Sequence, residues 1–224
     1  NIAAVQPKIL AYNEKDHFEY AGAAGGFIDS LGYPFCRGRL FDETEKDSGQ
    51  YNDTREVFWA TGACLVIRSK IYHELEGLDE DFFAHMEEID LCWKIQRTGS
   101  KVYYCAESTV YHVGGGTLSK SNPRKTYYNF RNGLSLVYKH WSSGNLIWKL
   151  PLRVLLDYVA ALKFLLSGKT GDTRAVFKAH YHFIKKLGRN SNKRRALKKY
   201  PFTVRNTYSG SIIWDHFILK KKQV

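Results

Sequence analysis

Acid is what the second half of this chain lacks. Residues 118–224 hold three carboxylates, Asp157, Asp172 and Asp215, against 23 lysines and arginines, whereas residues 1–117 hold 19 against 11. The formal net charge of +12 therefore hides an acidic segment of −8 and a basic one of +20, which points to two segments with different partners. The acidic half suits a metal or a polar substrate; the basic half suits the phosphates of lipids, nucleotides or nucleic acid. Paired cysteines are missing too. Cys36, Cys64, Cys92 and Cys105 lie far apart with no C-x-x-C, which argues against a zinc centre or a small disulfide scaffold and fits reduced cytoplasmic thiols. No charged-then-apolar leader is present and the chain opens on Asn1, so the expectation is no signal peptide and an upstream segment cut away. The G-x-x-x-x-G-K-S/T phosphate loop is absent, as is any internal repeat. Apolar material is not short: 44% hydrophobic and 15% aromatic residues are ample for a packed core and exclude global disorder.

Along the chain, Ile2 to Leu10 reads as a strand ended by Pro7 and the polar run Asn13-Glu14-Lys15-Asp16. Residues 37–56 are charged and mostly aperiodic, which reads as a long loop. The apolar stretch Val57 to Ile67 predicts a buried strand around Thr61-Gly62. A short helix is expected over Ser69–Glu76, stopped by Gly77, and a longer one from an Asp79 cap through Thr98 to Gly99. On that longer helix Phe82, Phe83, Met86, Ile89 and Trp93 recur at helical spacing and predict the buried stripe. Lys101–Cys105 and Thr109–Val113 read as strands separated by Ala106-Glu107-Ser108.

Three carboxylates carry the chemical interest. Glu87, Glu88 and Asp90 fall within four positions, Glu87 and Asp90 on one helix face and Glu88 turned away from it. Crowded carboxylates repel, which raises the pKa of one and fits it for taking a proton. On spacing alone, an ordinary acidic helix surface stabilised by the dipole is the plainer account. His112 ends a strand and runs into Gly114, Gly115 and Gly116, where a backbone without side chains admits a ligand; a metal, a phosphate or a purely structural role all fit. Asp79-Glu80-Asp81 offers a D-x-D, although helix capping explains it better. Aromatic and arginine side chains of residues 33–59, Arg37 and Trp59 among them, suit stacking on sugar rings as well as they suit a core.

In register these pieces say more. Ala60-Thr61-Gly62-Ala63-Cys64-Leu65-Val66-Ile67-Arg68 is followed by Gly77-Leu78-Asp79-Glu80-Asp81-Phe82-Phe83, then Glu87-Glu88-Ile89-Asp90-Leu91-Cys92, Arg97-Thr98-Gly99 and His112-Val113-Gly114-Gly115-Gly116. Over residues 20 to 140 that order resembles the second half of glycosyltransferase family 2, in its rhamnosyltransferase-like branch. The resemblance implies an α/β fold in which residues 1–120 form the C-terminal, acceptor-binding part of a GT-A domain. It implies transfer from a nucleotide-diphosphate sugar with inversion at the anomeric carbon. Glu88 maps onto the general base, with Glu87 open as the alternative and Asp90 in support. Thr61-Gly62, with Trp59 and Arg37, maps onto the acceptor and donor-sugar pocket, and His112 onto a ligand of Mg2+ or Mn2+. The family's N-terminal nucleotide-binding half and its D-x-D are not in this chain, so most metal ligands are expected outside it and the chain alone is expected to be inactive.

Residues 121–224 read as a mainly helical, basic extension, with helices expected over Tyr127–Lys139, Asn145–Leu166 and Thr173–Leu187 and a polybasic run from Lys185 to Lys199. Asn145–Leu166 approaches the length of a membrane span, roughly 20 residues. Lys149, Arg153, Asp157 and Lys163 interrupt it, so a helix on the membrane surface or packed on the domain is favoured. The expected partners are a nucleotide-sugar donor, a lipid-linked or polysaccharide acceptor and an anionic membrane surface, with the protein peripheral on the inner face of the plasma membrane. The alternatives are a non-catalytic membrane-surface adaptor and a nucleic-acid-binding module; no nucleic-acid motif accompanies the basic run.

Overall fold

A computed structural model describes residues 1–114, 122–221 and 223. The chain divides into two compact units, one of residues 1–79, 88–114 and 203–224, the other of residues 80–87 and 115–202.

The first unit is mixed α/β. In chain order it holds β1 (Ile2–Ala11), β2 (Gly26–Ile28), β3 (Pro34–Cys36), β4 (Arg39–Leu40), β5 (Glu43–Thr44), β6 (Arg55–Val57), β7 (Val66–Ile67), α1 (Ser69–Glu74), α2 (Glu87–Arg97) and β8 (Lys101–His112). One sheet has the order β6-β8-β1-β7, with β1 and β8 parallel and the outer pairs antiparallel. β1 lies between two neighbours and is buried almost throughout, which accounts for its near-continuous apolar sequence. It does not end at Pro7. The register jumps from Pro7 opposite Cys105 to Lys8 opposite Thr109, so residues 106–108 bulge out where proline has no N–H to donate. The two expected strands are thus one bulged strand, β8. The expected strand over residues 57–67 is instead two short edge strands, β6 and β7, with Trp59 bridged to Gly26 between them.

The second sheet, β2-β3-β4-β5, occupies part of the stretch read as a loop. The C-terminal segment closes it: Tyr208 N–H donates to Ile28 O (2.8 Å), Ile212 N–H to Asp29 Oδ2 (3.0 Å), and Ile212 packs with Phe35 and Leu40.

The second unit holds α3 (Pro123–His140), α4 (Ser143–Leu166), α5 (Thr170–Lys185) and α6 (Leu187–Ala196). Asn122 and Ser142 cap α3 and α4 with their side chains, leaving fewer orphan N–H groups at each start. Leu134, Leu136, Val137, Val176, Ala179 and Phe183 form the interior. No helix among the described residues is long and apolar enough to cross a membrane.

The expected helix from Asp79 starts eight residues late, at Glu87. Phe83, His85 and Met86 have φ of 65°, 67° and 76°, a left-handed conformation no α-helix contains. Side chains from α3 satisfy this backbone instead. Asn132 Nδ2 donates to the carbonyls of Phe82, Ala84 and His85 (3.0, 2.8 and 2.7 Å), and Arg131 to those of Asp81 and Phe82. Phe82 is buried under Lys139, while Phe83 is exposed and stacks on Tyr128.

Candidate active site

Thr61 and Gly62 are fixed by β1 from one side and α2 from the other. Gln6 Oε1 accepts the Thr61 N–H (2.8 Å), and the Gln6 amide donates to Gly22 O (3.1 Å). Gly22 has φ +99° and its Cα rests against Thr61, where any Cβ would lie 2.3 Å from Thr61 Cβ, so no other residue fits there. Ala60 N–H points at Cys92 Sγ on α2 (3.4 Å), whose thiol burial pushes up to about 12, which keeps it a neutral acceptor. Held this way, Gly62 is exposed, and the nearest side-chain atom to the position its Cβ would take is Glu88 Cβ, at 4.0 Å. The glycine leaves open space beside the first turn of α2.

The three acids of that turn have separate surroundings. Asp90 is fully buried, its Oδ2 3.9 Å from Lys94 Nζ, and Lys94 donates to Leu75 O and Gly77 O (2.9 and 2.8 Å). That arrangement holds the turn after α1 onto α2. Glu88 is half-buried beside Gly62. Glu87 is the first residue of α2; burial raises its carboxyl pKa, and its Oε2 is enclosed without a hydrogen-bond partner among the described residues. The helix N-terminus favours an ionised acid, but desolvation wins at Glu87.

His112 ends β8 with Nδ1 3.2 Å from Glu19 Oε2, close enough for an ion pair but not aligned as a hydrogen bond. Glu19 is buried, its Oε2 accepts the Ala21 N–H, and its Oε1 lies 2.4 Å from where a Cβ on Gly114 would be. Gly114 is therefore the residue that lets the carboxylate in. Glu19 carries no signal in the sequence; only the pairing of β1 with β8 places it beside His112. Gly115 and Gly116 lie outside the described residues. His112 and Glu19 supply two donors, and among the described residues no group of three His, Cys, Asp or Glu side chains is placed to hold a metal ion. The described residues do not by themselves make a metal centre.

Arg37 and Trp59 are committed to the fold. Arg37 is buried, donating to Ala24 O (3.0 Å) and Asp53 (2.7 Å) between the rings of Tyr51 and Tyr104. Trp59 is buried against Gly26 and donates to Phe27 O (2.8 Å).

A mixed α/β unit with a mixed sheet, and with carboxylates clustered in the first turn of α2, is consistent with a glycosyltransferase-like α/β domain. Comparison with known proteins relates the chain to glycosyltransferases. It is 28% identical over 110 residues to an N-acetylglucosaminyl-diphospho-decaprenol L-rhamnosyltransferase of Mycobacterium tuberculosis, covering 49% of this chain and 34% of that protein. It is 25% identical over 85 residues to the low-salt glycan biosynthesis hexosyltransferase Agl10 of Haloferax volcanii, covering 38% and 28%. Against the rhamnosyltransferase WbbL of Escherichia coli K12 it is 32% identical over 54 residues, covering 24% and 20%. The matches thus span about a third or less of these relatives. No family model matches the chain.

Proposed function

We propose that this chain is the acceptor-side portion of an inverting glycosyltransferase of the GT-A kind, rhamnosyltransferase-like. It moves a sugar from a nucleotide-diphosphate donor to a lipid-linked or polysaccharide acceptor at the inner face of the plasma membrane. The observation that carries this reading is Glu88 on the first turn of α2 beside the open, exposed Gly62, with Glu87 next to it in sequence. The relatives' names support the sugar transfer, and that of the mycobacterial protein includes a diphospho-decaprenol-linked sugar.

The step needs a base and an opening. An acceptor hydroxyl lying over Gly62 gives its proton to Glu88; its oxygen forms the bond to the anomeric carbon, and the bond to the nucleotide diphosphate breaks on the opposite face, the diphosphate leaving with the electron pair. Inversion follows from that single displacement. Glu87 is the second candidate base, because a carboxyl with a raised pKa is the better proton acceptor near neutral pH. Asp90, paired to Lys94, positions the turn. On this reading the donor nucleotide is held by polypeptide beyond this chain, and His112, with Glu19 beside it, would help hold a Mg2+ or Mn2+ ion whose remaining ligands would lie outside the described residues.

Glu88→Gln in the complete polypeptide that carries this chain should lower turnover by about a hundredfold with donor binding nearly unchanged. Glu87→Gln is measured beside it. Full turnover in both variants would remove the base from this helix.

A further inference from the structure

We infer that the outward face of α4 and α5 is a docking surface for an anionic lipid bilayer, lying along the interface and not across it. The inference deepens the membrane-peripheral part of the proposed function and uses none of its chemistry.

The polarity of α4 is inverted. Its buried residues are Arg153, Asp157 and Ala161. Arg153 Nε lies 3.6 Å from Asp157 Oδ1, and Asp157 Oδ2 lies 3.1 Å from His180 Nε2 on α5, so the inner face is a charged network. The outer face is apolar: Trp148, Leu152, Leu155, Val159, Leu162 and Leu166 are all exposed, at alternating steps of four and three that keep them in one stripe. Ile147 and Leu166 are 78% and 80% exposed. α5 adds exposed Phe177, Tyr181 and Ile184 at the same steps. The Tyr158 and Phe177 rings, 5.5 Å apart, join the two stripes into one patch. A contiguous apolar surface of this kind marks a site of interaction.

Charge selects the occupant. Lys149, Lys163, Lys169, Arg174, Lys178 and Lys185 belong to the same two helices and the turn between them. The only acids of α4 and α5 are Asp157, buried against His180, and Asp172, bonded to Thr126 Oγ1. By sequence the two helices are therefore strongly cationic. A second copy docked on this face would set like charges together. A bilayer instead offers acyl chains to the leucines and phosphates to the lysines, and its interface suits the rings of Trp148, Tyr158 and Tyr181. Arg153 and Asp157 at mid-helix oppose a crossing orientation. Four cations of the polybasic run are engaged within their own unit: Lys186, Arg189 and Lys193 converge on Asp81, and Arg194 donates to the carbonyls of Tyr138 and Trp141.

Vesicle flotation of the whole chain tests this, using phosphatidylcholine vesicles with and without about 30% phosphatidylglycerol. The chain should float with the anionic vesicles and bind the neutral ones about tenfold less. Leu155→Glu with Leu162→Glu should cut anionic binding at least about tenfold while circular dichroism and Tm stay unchanged, since both side chains are exposed. Lys163→Glu with Lys178→Glu should weaken anionic binding and leave neutral binding as it was. A wild-type chain that does not float, or a leucine variant that floats undiminished, overturns the inference. So does light scattering that finds a dimer which the leucine variant dissolves while lipid binding persists. Glu88→Gln should float like wild type, so failure of the transfer chemistry and failure of the surface are read separately.

Discussion

Asp81 and Glu87 stand at the two ends of one short segment, residues 80–87, and their carboxyls are displaced in opposite directions. Burial alone would raise both. At Asp81 it is overridden by Lys193, Arg189 (2.6 Å) and Lys186 (3.2 Å), which hold the group well below the usual carboxylate range. At Glu87 no cation among the described residues answers the burial, and the pKa goes up. One acid is spent on holding the segment to α6; the other stays protonatable. Between them, Phe83, His85 and Met86 keep a left-handed backbone, and burial, with Lys125 nearby, lowers the pKa of His85. Non-glycine residues in that region cost about 1–3 kcal/mol each and persist where their surroundings impose them. The contrast is between an electrostatic clamp and a carboxyl whose burial raises its pKa, with strain stored between the two.

The largest expected effect breaks what separates the two ends. Asn132 gives its amide to three carbonyls of the segment, so Asn132→Ala removes all three bonds and should lower stability by about 3 kcal/mol in urea denaturation. A loss below about 1 kcal/mol would mean that the segment holds its shape unaided.

A smaller effect isolates the clamp. Asp81→Asn leaves the three cations without their carboxylate and should cost about 2 kcal/mol at neutral pH. The folded pKa is depressed, so the contribution is fully present above the usual aspartate value near 3.8 and is lost as pH falls below it toward the folded value. Wild type and variant should therefore converge in stability under acid. A gap that persists with Asp81 protonated would show that packing, not charge, holds the segment.

How much of this was legible in the sequence depended on the range of the causes. β1, α1 and the helices α3 to α5 followed from local apolar pattern, and the interruption in β8 was visible in Ala106-Glu107-Ser108. The start of α2 was not legible, because the residues that forbid an earlier helix are held by Asn132, some fifty positions away. The run of strand through Pro7 depended on a bulge on the partner strand. The return of the C-terminus to β2 rests on scattered hydrogen bonds at Ile28, Asp29 and Ser30 and on the packing of Ile212 with Phe35 and Leu40, which leave no pattern. At the candidate site, the nearness of Gly62 to Glu88 followed the register of several short motifs, whereas Glu19 beside His112 and the commitment of Arg37 to Ala24 and Asp53 depended on contacts that spacing does not encode.

The smallest effect is the sharpest test of the contrast, because its sign is opposite. Glu87 has a folded pKa above its unfolded one, so the folded chain binds that proton more tightly. Its contribution to stability is full below the usual glutamate pKa and declines as pH rises through the window up to the folded value. Glu87→Gln keeps the shape and removes the charge. The variant should match wild type in acid and exceed it at neutral pH by a gain within about 1 kcal/mol. Asp81→Asn loses stability at that same pH. Thermal melts of both variants at acid and neutral pH give two differences from wild type, and opposite signs at neutral pH mean that one end of the segment is a clamp and the other a carboxylate whose charge is buried at a cost. If Glu87→Gln also loses stability at neutral pH, an unseen partner satisfies the Glu87 carboxylate, and the case for it as an alternative base falls to Glu88 alone.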